Sequence, residues 1–575
     1  MFIKLTRSGP RTYLQIVEAY RDPDTGRPKQ RHLATLGQLE HLQEQDVRGL
    51  LKGLQHVLGP ERRGVASGAV AAAEASFEPA LEVGPGWVLT QLWEQLELTG
   101  VVGRCCADRR RTWAVEPLIR LMVLNRLCEP SSKLGVLSWL ERVYLPGVER
   151  AGVTHQRLLR AMDVLLRHQA AVETHVLRRL PAPTSVEVVF YDITTVRIHG
   201  EGEGGEDDLR CYGHSKDVQG VDRQLAVGVV QTADGFPVAH EVFRGNIGES
   251  TTVQGVVRGL CERFPIRRLI FIADRGMLSV ENLEELEALT LADGRVVEYI
   301  VAVPVRRYPQ LGDAVVALHP ALLAASRARR GEVVRETTTA EGRRLVVAHS
   351  PAIANRSRQR RAKRLRQVLQ LAWTLEHKLE AQDRGKPGRG RRLTDSGAKV
   401  QLHQALAAHR VSPLITVHLD EPGYTWSWNV AALKRELQLD GKLVLISNVP
   451  DLKASTLIER YKELADIERG FRILKSQLDI APVHHRLPDR LRAHTFICFL
   501  ALVLHRWLRY RLRRHRPELS PETVLEQLRQ VQYHSVCLAS GQRFTNLTRM
   551  RPEWRALFEA LEVEVPTKQA LETRV

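Results

Sequence analysis

The sequence predicts an α/β protein with a helical N-terminal region. Two apolar runs, residues 186–191 and 269–273, have the length of buried strands, and each is followed by an aspartate. Residues 86–180 instead repeat their apolar residues at helical spacing. Residues 455–478 contain no proline and only one interior glycine, which favours a long helix. A chain of 575 residues with these patterns is expected to form several domains.

The predicted domain boundaries follow changes of pattern along the chain. An N-terminal hairpin with strands at 12–20 and 28–36 precedes a helix at 45–58 and a linker rich in Gly, Ala and Glu. The helical region that follows, 86–180, fits two functions equally: DNA binding through its helices and residues 109–111, or packing alone. It contains no clear helix-turn-helix pattern that would favour the first. The predicted boundaries are 1–60 for the hairpin and helix, 61–82 for the linker, 83–182 for the helical domain, 183–304 and 441–516 for the two parts of a catalytic core, 305–440 for an insertion, and 517–575 for a C-terminal segment.

The charge balance points to a polyanionic partner. The chain has 84 Lys and Arg against 66 Asp and Glu, which gives a formal net charge of +18. This surplus favours nucleic acid, with an anionic membrane surface, or a basic enzyme that has no polyanionic partner, as the alternatives. The cations are also bunched in four places, which favours contact with phosphate groups: 109–111, 356–366, 384–392 and 506–516.

The cysteines and the apolar runs indicate in which cellular compartment the protein is expected. The seven cysteines include no CxxC pair, which argues against a zinc module and fits a reducing cytoplasm. The first twenty residues lack the apolar core of a signal peptide, and the most apolar run, 496–504, is too short to cross a bilayer. We therefore expect a cytoplasmic protein without membrane contact.

Three acidic side chains are the candidates for a metal site. Asp192 and Asp274 each follow an apolar strand, and sites in open α/β sheets form at the carboxyl ends of strands. The third acid is expected on the helix over 455–478, where periodicity alone does not choose among Glu459, Glu463, Asp466 and Glu468. One pattern singles out the last of these, because three other side chains share its helical face: Tyr461, Leu464 and Lys475.

The spacing Tyr461-x2-Leu464-x3-Glu468-x6-Lys475 resembles the Tyr-x2-Arg-x3-Glu-x6-Lys signature of a large group of bacterial insertion-sequence DDE transposases. Leu464 stands where the signature has Arg, so Arg460 or Arg469 are alternative phosphate contacts. Further segments resemble that family in the same order along about 190–505: YDITT around Asp192, YGHSKD, ADGFPV and GNIGEST between 212 and 251, ADRGM around Asp274, and HHRLPDRLRAH at 484–494.

This resemblance implies an RNase H-like catalytic core with a mainly β insertion between the second Asp and the Glu. It implies that Asp192, Asp274 and Glu468 bind two Mg²⁺ ions, with Mn²⁺ as a substitute. Two such ions about 3.5–4 Å apart serve the attacking and the leaving oxygen of a phosphodiester. The implied activity is binding of terminal inverted repeats, cleavage at the element ends and transfer of 3′-hydroxyl ends to target DNA. A homodimer on paired ends, associated with a prokaryotic nucleoid, is expected.

Other side chains are predicted to contact DNA. His214 and Lys216 equally fit caps of a loop. Trp426 and Trp428 fit either a stacking face for a base near the cut or, more simply, core packing on a strand. The predicted DNA contacts are Tyr461, Lys475, Arg469, Arg472, His214, Lys216, Arg275 and His485.

Two other functions compete with transposition. An RNase H-like nuclease without strand transfer would use the same acids, but it would not need the basic insertion and the helical region. An inactive, transposase-derived DNA-binding protein would not need Asp192, Asp274, Glu468 and Lys475, all of which are present.

Overall fold

The computed structural model describes residues 2–8, 11–21, 28–38, 76–180, 188–200, 208–214, 220–263, 268–273, 280–290, 294–306, 308–329, 331–385, 392–420, 423–481, 483–538 and 542–572. The N-terminal strands form an antiparallel sheet in chain order: β1 (Phe2–Ser8), β2 (Arg11–Arg21) and β3 (Pro28–Gln38). The predicted hairpin is confirmed. The predicted helix at 45–58 lies outside the described residues.

The helical character predicted for 86–180 is confirmed. Trp87, Leu92 and Trp93 are buried and belong to one hydrophobic core shared with the main sheet. Two of the helices begin with hydroxyl caps, at Ser132 and Thr154. The helices are α1 (Gly84–Gln95), α2 (Leu98–Cys105), α3 (Glu116–Cys128), α4 (Lys133–Leu140), α5 (His155–Leu166) and α6 (Gln169–Arg179).

A mixed sheet organises the second part of the chain. Its central strands β6 (Val188–Arg197), β10 (Ile270–Ala273) and β11 (Glu298–Ala302) are parallel. On the other side of β6 lies β8 (Val221–Thr232), which pairs antiparallel with β6. The strands β7 (Cys211–His214) and β9 (Pro237–Arg244) each pair antiparallel with β8. The helices between these strands are α7 (Glu249–Arg263) and α8 (Val280–Ala288).

The prediction of a mainly β insertion is wrong, because helices dominate its described residues. The 33-residue α11 alone outweighs the short strands, and its Arg, Ala, Leu and Gln residues are strong helix formers. The insertion elements are α9 (Pro309–Ala317), α10 (His319–Arg329), β12 (Val333–Thr338), β13 (Arg344–His349), α11 (Pro351–Asp383), α12 (Asp395–Ala408), β14 (Ile415–Val417), β15 (Trp426–Trp428) and α13 (Val430–Leu439).

The insertion joins the sheet at one end and has its own core at the other. Strand β16 (Lys442–Ser447) pairs antiparallel with both β11 and β13, so the β12–β13 hairpin extends the main sheet. A second, smaller hydrophobic cluster forms where α11 packs against α12 and β14, around Val368, Leu402 and Ile415. The two cores are therefore linked by the first half of α11.

The single helix predicted over 455–478 is split in the structure. Helix α14 (Ala454–Lys462) and helix α15 (Leu464–Ser476) meet at Glu463. The backbone N–H of Glu463 is shared between the carbonyls of Glu459 and Arg460, both at 3.2 Å, which tightens the turn.

The C-terminal elements pack back onto the helical region. Strand β17 (Gln532–Cys537) pairs with β18 (Arg543–Leu547) and with β4 (Ser76–Phe77) and β5 (Leu81–Glu82), which lie in the segment predicted as a linker. The remaining helices are α16 (Pro488–His515), α17 (Pro521–Leu528), α18 (Pro552–Ala560) and α19 (Lys568–Glu572). Helix α16 is long and apolar enough to cross a membrane, yet 94% of its most apolar stretch is buried inside the protein, as in the core helix of a soluble protein.

Candidate active site

Asp192 lies in the centre of the main sheet. Strand β6 runs five residues beyond it, so the prediction that this strand ends at the aspartate is wrong. The β-branched residues that follow, Ile193 to Val196, explain the continuation. Tyr191 and Ile193 are buried while Asp192 is partly exposed, and its Oδ1 accepts a hydrogen bond of 2.7 Å from the N–H of Ile193.

The register between β6 and β10 fixes the neighbourhood of the second aspartate. The two strands are parallel, and Ala273, the last residue of β10, lies beside Tyr191. Asp274 follows Ala273 in the sequence, as Asp192 follows Tyr191. Asp274 and its neighbour Arg275 lie outside the described residues.

Tyr191 is held rigidly beside Asp192. Its hydroxyl donates a hydrogen bond of 2.9 Å to Oγ1 of Thr252 on α7. Its ring lies against Gly228 of β8, where a Cβ atom would be 2.7 Å from the ring. The absence of a side chain at Gly228 therefore leaves the space that the Tyr191 ring occupies, and no local pattern in the sequence predicts this role.

Helix α15 carries the third predicted acid and packs against β6. It approaches the sheet closely at Gly470, where a Cβ atom would lie 2.6 Å from Nε2 of Gln231 and 3.3 Å from the guanidinium of Arg506. Gln231 is fully buried and lies opposite Phe190, two residues before Asp192. The single interior glycine of this segment is the sequence signal for that approach. The side chain of Glu468 lies outside the described residues.

A buried arginine of the N-terminal helices anchors the end of α15. Arg126 on α3 donates hydrogen bonds to the carbonyls of Asp479 at 3.1 Å and Leu478 at 3.4 Å, and it also donates to Ser131. Its side chain is only 4% exposed. Arg126 and Asp479 are more than 350 residues apart in the sequence, so no local pattern predicts this contact.

The predicted DNA-binding residues fall into two groups. Tyr461 and Lys475 are partly buried, whereas Arg469 and Arg472 are exposed on α15. Leu464, at the Arg position of the signature, is 6% exposed and packs in the main core. Lys216 and the side chain of His214 lie outside the described residues.

His485 is less suited to phosphate binding than its sequence context predicts. Burial, with Lys133 and Arg490 nearby, lowers the pKa of its imidazole to about 3. The ring is therefore neutral at pH 7 and adds no positive charge for a phosphate. Its backbone carbonyl accepts a hydrogen bond of 2.7 Å from Arg210.

The two tryptophans of the insertion differ in their surroundings. Both lie on β15, paired with Val417 and Ile415 of β14. Trp426 packs against the smaller hydrophobic core, as the packing alternative predicts, whereas Trp428 is 39% exposed.

Within the described parts of the chain, no three His, Cys, Asp or Glu side chains come together as a metal site. This finding leaves the predicted triad untested, because Asp274 and the side chain of Glu468 are not among those residues. Asp192 supplies what a hard divalent ion prefers, a partly accessible carboxylate in a rigid central strand.

Comparison with protein families identifies the class. Residues 184–504, more than half of the chain, match the family described as the transposase DDE domain. The chain therefore belongs to the DDE transposases, a family of metal-dependent enzymes.

A second match narrows the assignment. Residues 3–63 match the N-terminal domain of IS1634 family transposases, so the protein is a transposase of an insertion sequence. No curated protein matches the chain. Among solved structures, the cryo-EM structure of the piggyBac transposase synaptic complex with hairpin DNA aligns with 85% of this chain and 84% of that one, with a TM-score of 0.37 and 9% identity.

Proposed function

We propose that this transposase cleaves DNA at the ends of its element and joins the 3′-hydroxyl ends to target DNA, with Asp192, Asp274 and Glu468 as the catalytic carboxylates. The observation that carries the proposal is the parallel register of β6 and β10, in which Tyr191 pairs with Ala273. Each of these residues is followed in sequence by one of the two aspartates.

The order of the strands supports an RNase H-like core. Three antiparallel strands, β9, β8 and β6, are followed across the sheet by β10 and β11, which run parallel to β6. The helical insertion then separates β11 from β16 and from α15. This arrangement fits one catalytic core built from two separate stretches of sequence.

The buried face of α15 supports Glu468 as the third carboxylate. Leu464 and Phe471 lie four residues before and three after it, and both are buried in the main core. Residues at this spacing share one face of a helix. By the same spacing Glu468 shares a face with the exposed Arg472, so its sequence position borders the buried side of α15, and α15 packs against the strand of Asp192. Glu463 lies at the helix break and pairs with Arg460 at 3.2 Å, which makes it a weaker candidate.

Carboxylate oxygens suit Mg²⁺, and Mn²⁺ accepts the same ligands. Bound by these three side chains, divalent ions would supply an activated water and stabilisation of the leaving oxygen. The protein would add the positions of the groups around them. Lys475 lies seven residues after Glu468, on the same helical face, and would contact the phosphate backbone near the cut. Arg469 and Arg472 would contact that backbone from the exposed side of α15.

The remaining assignments follow from the reaction. Cutting and joining two ends requires both in one complex, which a homodimer on paired inverted repeats provides. The DNA substrate places the protein at the nucleoid. Of the two tryptophans, the exposed Trp428 is the one proposed to stack on a base near the cut.

The test is a cleavage and joining assay on DNA that carries the element's ends, with Mg²⁺, comparing wild type with Glu468→Gln. We expect wild type to cleave and join and the variant to bind the same DNA without cutting. Glu459→Gln serves as the matched control on the preceding helix and should retain cleavage.

Other outcomes would select another function. Cleavage by Glu468→Gln at the wild-type rate would remove Glu468 from the triad. Cleavage by wild type without joining of precut ends would favour a nuclease. Binding without either reaction would favour a DNA-binding derivative.

A further inference from the structure

The first half of α11 carries the most concentrated positive charge among the described elements. Residues 351–366 contain seven cations and no acid, whereas residues 367–383 contain three acids and one lysine. The charge is thus confined to the part of the helix that links the two hydrophobic cores. The seven cations are Arg356, Arg358, Arg360, Arg361, Lys363, Arg364 and Arg366.

One side of this segment is fixed to the protein. Arg361 is mostly buried and donates hydrogen bonds to Asp440, one of them at 3.0 Å, and to Glu436 at 3.4 Å. Arg358 lies 3.7 Å from the same Asp440 carboxylate. Ala354 and Val368, on the same side of the helix, are buried. These contacts set the rotation of α11 about its axis.

The opposite side is a row of exposed cations. Arg356, Arg360, Lys363 and Arg364 follow one another at intervals of four, three and one residues, which places them on one helical face. All four are exposed. Among the described residues, none of Arg360, Lys363 and Arg364 has an acidic partner. We call this row of four residues the α11 cation face.

Like charges at this spacing repel one another, so the row weakens the helix unless an anion neutralises it. A double-stranded DNA backbone presents one negative charge per about 1.7 Å of helix axis, a linear array that a rigid row of cations complements. We propose that the α11 cation face binds the phosphate backbone of duplex DNA, independently of base sequence. The identity of the polyanion rests on the proposed function.

The test measures binding of the full chain to a duplex of unrelated sequence, in EDTA, at several salt concentrations. The variant is R360A/K363A/R364A. The matched control, R327A/R329A/K378A, removes two arginines and one lysine that are exposed elsewhere on the insertion. The unfolding temperature of the α11 variant should equal or exceed that of wild type, because the substituted side chains are exposed, like-charge repulsion is removed and alanine favours a helix. The control should unfold at the wild-type temperature or slightly above it.

The plot of log association constant against log salt concentration has a negative slope, and each lost phosphate contact reduces its magnitude by about 0.9. We expect the α11 variant to reduce that magnitude by about 2–3 and to weaken binding roughly 10- to 100-fold near 0.15 M salt. R360K/R364K should retain the wild-type slope. The control should leave it unchanged.

An unchanged slope in the α11 variant, or an equal fall in the control, overturns the proposal. So does loss of binding to vesicles of anionic lipid while DNA binding persists, since that result assigns the face to a membrane surface. Because binding in EDTA needs no cleavage, failure here leaves the catalytic assignment of Glu468 untouched, and failure of cleavage leaves this result standing.

Discussion

Ala273 on β10 lies beside Tyr191 on β6 in a parallel register, and each is followed by an aspartate. Neighbouring strands are about 4.8 Å apart, a separation at which two carboxylates reach the same ions. The proposed site therefore depends on strand pairing, which is set by the buried residues 189–191 and 270–273. Short acidic side chains then suffice to reach shared ions.

Asp274→Cys tests whether that carboxylate is a metal ligand. A thiolate is a softer ligand than a carboxylate, so it binds Mg²⁺ poorly and accepts Mn²⁺ more readily. We expect cleavage in Mg²⁺ to fall on the order of 1000-fold, as for loss of a group that acts directly in the reaction, and to recover in part in Mn²⁺. DNA binding should persist.

Asp274→Ala is the control for this exchange and should stay inactive in both metals. Equal cleavage by Asp274→Cys and wild type in Mg²⁺ would exclude Asp274 as a ligand.

Gly228→Ala tests how the strand of Asp192 is held in place. The added methyl would come within 2.7 Å of the Tyr191 ring, which is fully buried and bonded to Thr252, so the ring has little freedom to move. Such overpacking costs about 1–3 kcal/mol. We expect a lower midpoint in chemical unfolding and slower cleavage.

A second glycine provides the comparison. Gly255 lies in α7 with nothing within 4 Å of its Cβ position, so Gly255→Ala should stabilise the protein by about 0.5–1 kcal/mol. A Gly228→Ala protein as stable as wild type would contradict the close packing against Tyr191.

The sequence predicts the individual elements well where their period is regular. The N-terminal hairpin, the helices of 86–180 and the apolar runs that form β6 and β10 all follow from local patterns. The mainly β insertion was an implication of the family resemblance and not of a local pattern. Helices α9, α10 and α13 are short, and their apolar faces become recognisable only once their packing partners are known.

Contacts between distant parts of the chain were out of reach. Arg126 binds the carbonyls after α15, yet nothing in its local sequence distinguishes it from an ordinary helical arginine. Gly470 signals a close approach of α15, but the sequence does not identify Gln231 as the residue approached. Only the order of motifs, through resemblance to a family, links Glu468 to Asp192. The sequence alone provides spacing along one helix and says nothing about which strand that helix covers.

Arg126→Met tests the anchor between the helical region and the catalytic core. The substitution keeps an unbranched apolar chain but leaves the buried carbonyl of Leu478 and the part-buried carbonyl of Asp479 without this donor, at a cost of about 1–3 kcal/mol. Hydrogen exchange should become faster in residues 477–485, and cleavage should fall more than DNA binding.

Arg142→Met is the matched control, because Arg142 forms an exposed ion pair with Glu129 at 2.6 Å and such pairs contribute little. Faster exchange throughout the protein, rather than at 477–485, would mean that Arg126 supports the whole fold and not this segment in particular.

Lys133 gives the protein a pH-dependent stability. Burial, together with the positive charge of Arg126 nearby, lowers the pKa of its ammonium group to about 7 from an ordinary 10.5. Between these two values the unfolded chain binds a proton that the folded protein does not, so stability should rise as the pH increases from about 7 to about 10.5. Below pH 7 both states are protonated, and this group contributes no further change.

Lys133→Met should remove that rise, since methionine fills similar space and does not titrate. The measurement is the difference in unfolding midpoint between wild type and variant at pH 7, 8, 9 and 10. We expect the variant to be the more stable protein at pH 7, with the difference shrinking toward pH 10, because the free energy that the unfolded wild-type chain gains by binding a proton at Lys133 falls as the pH rises. A difference that stays constant over this range would mean that Lys133 titrates alike in both states and is not buried against Arg126.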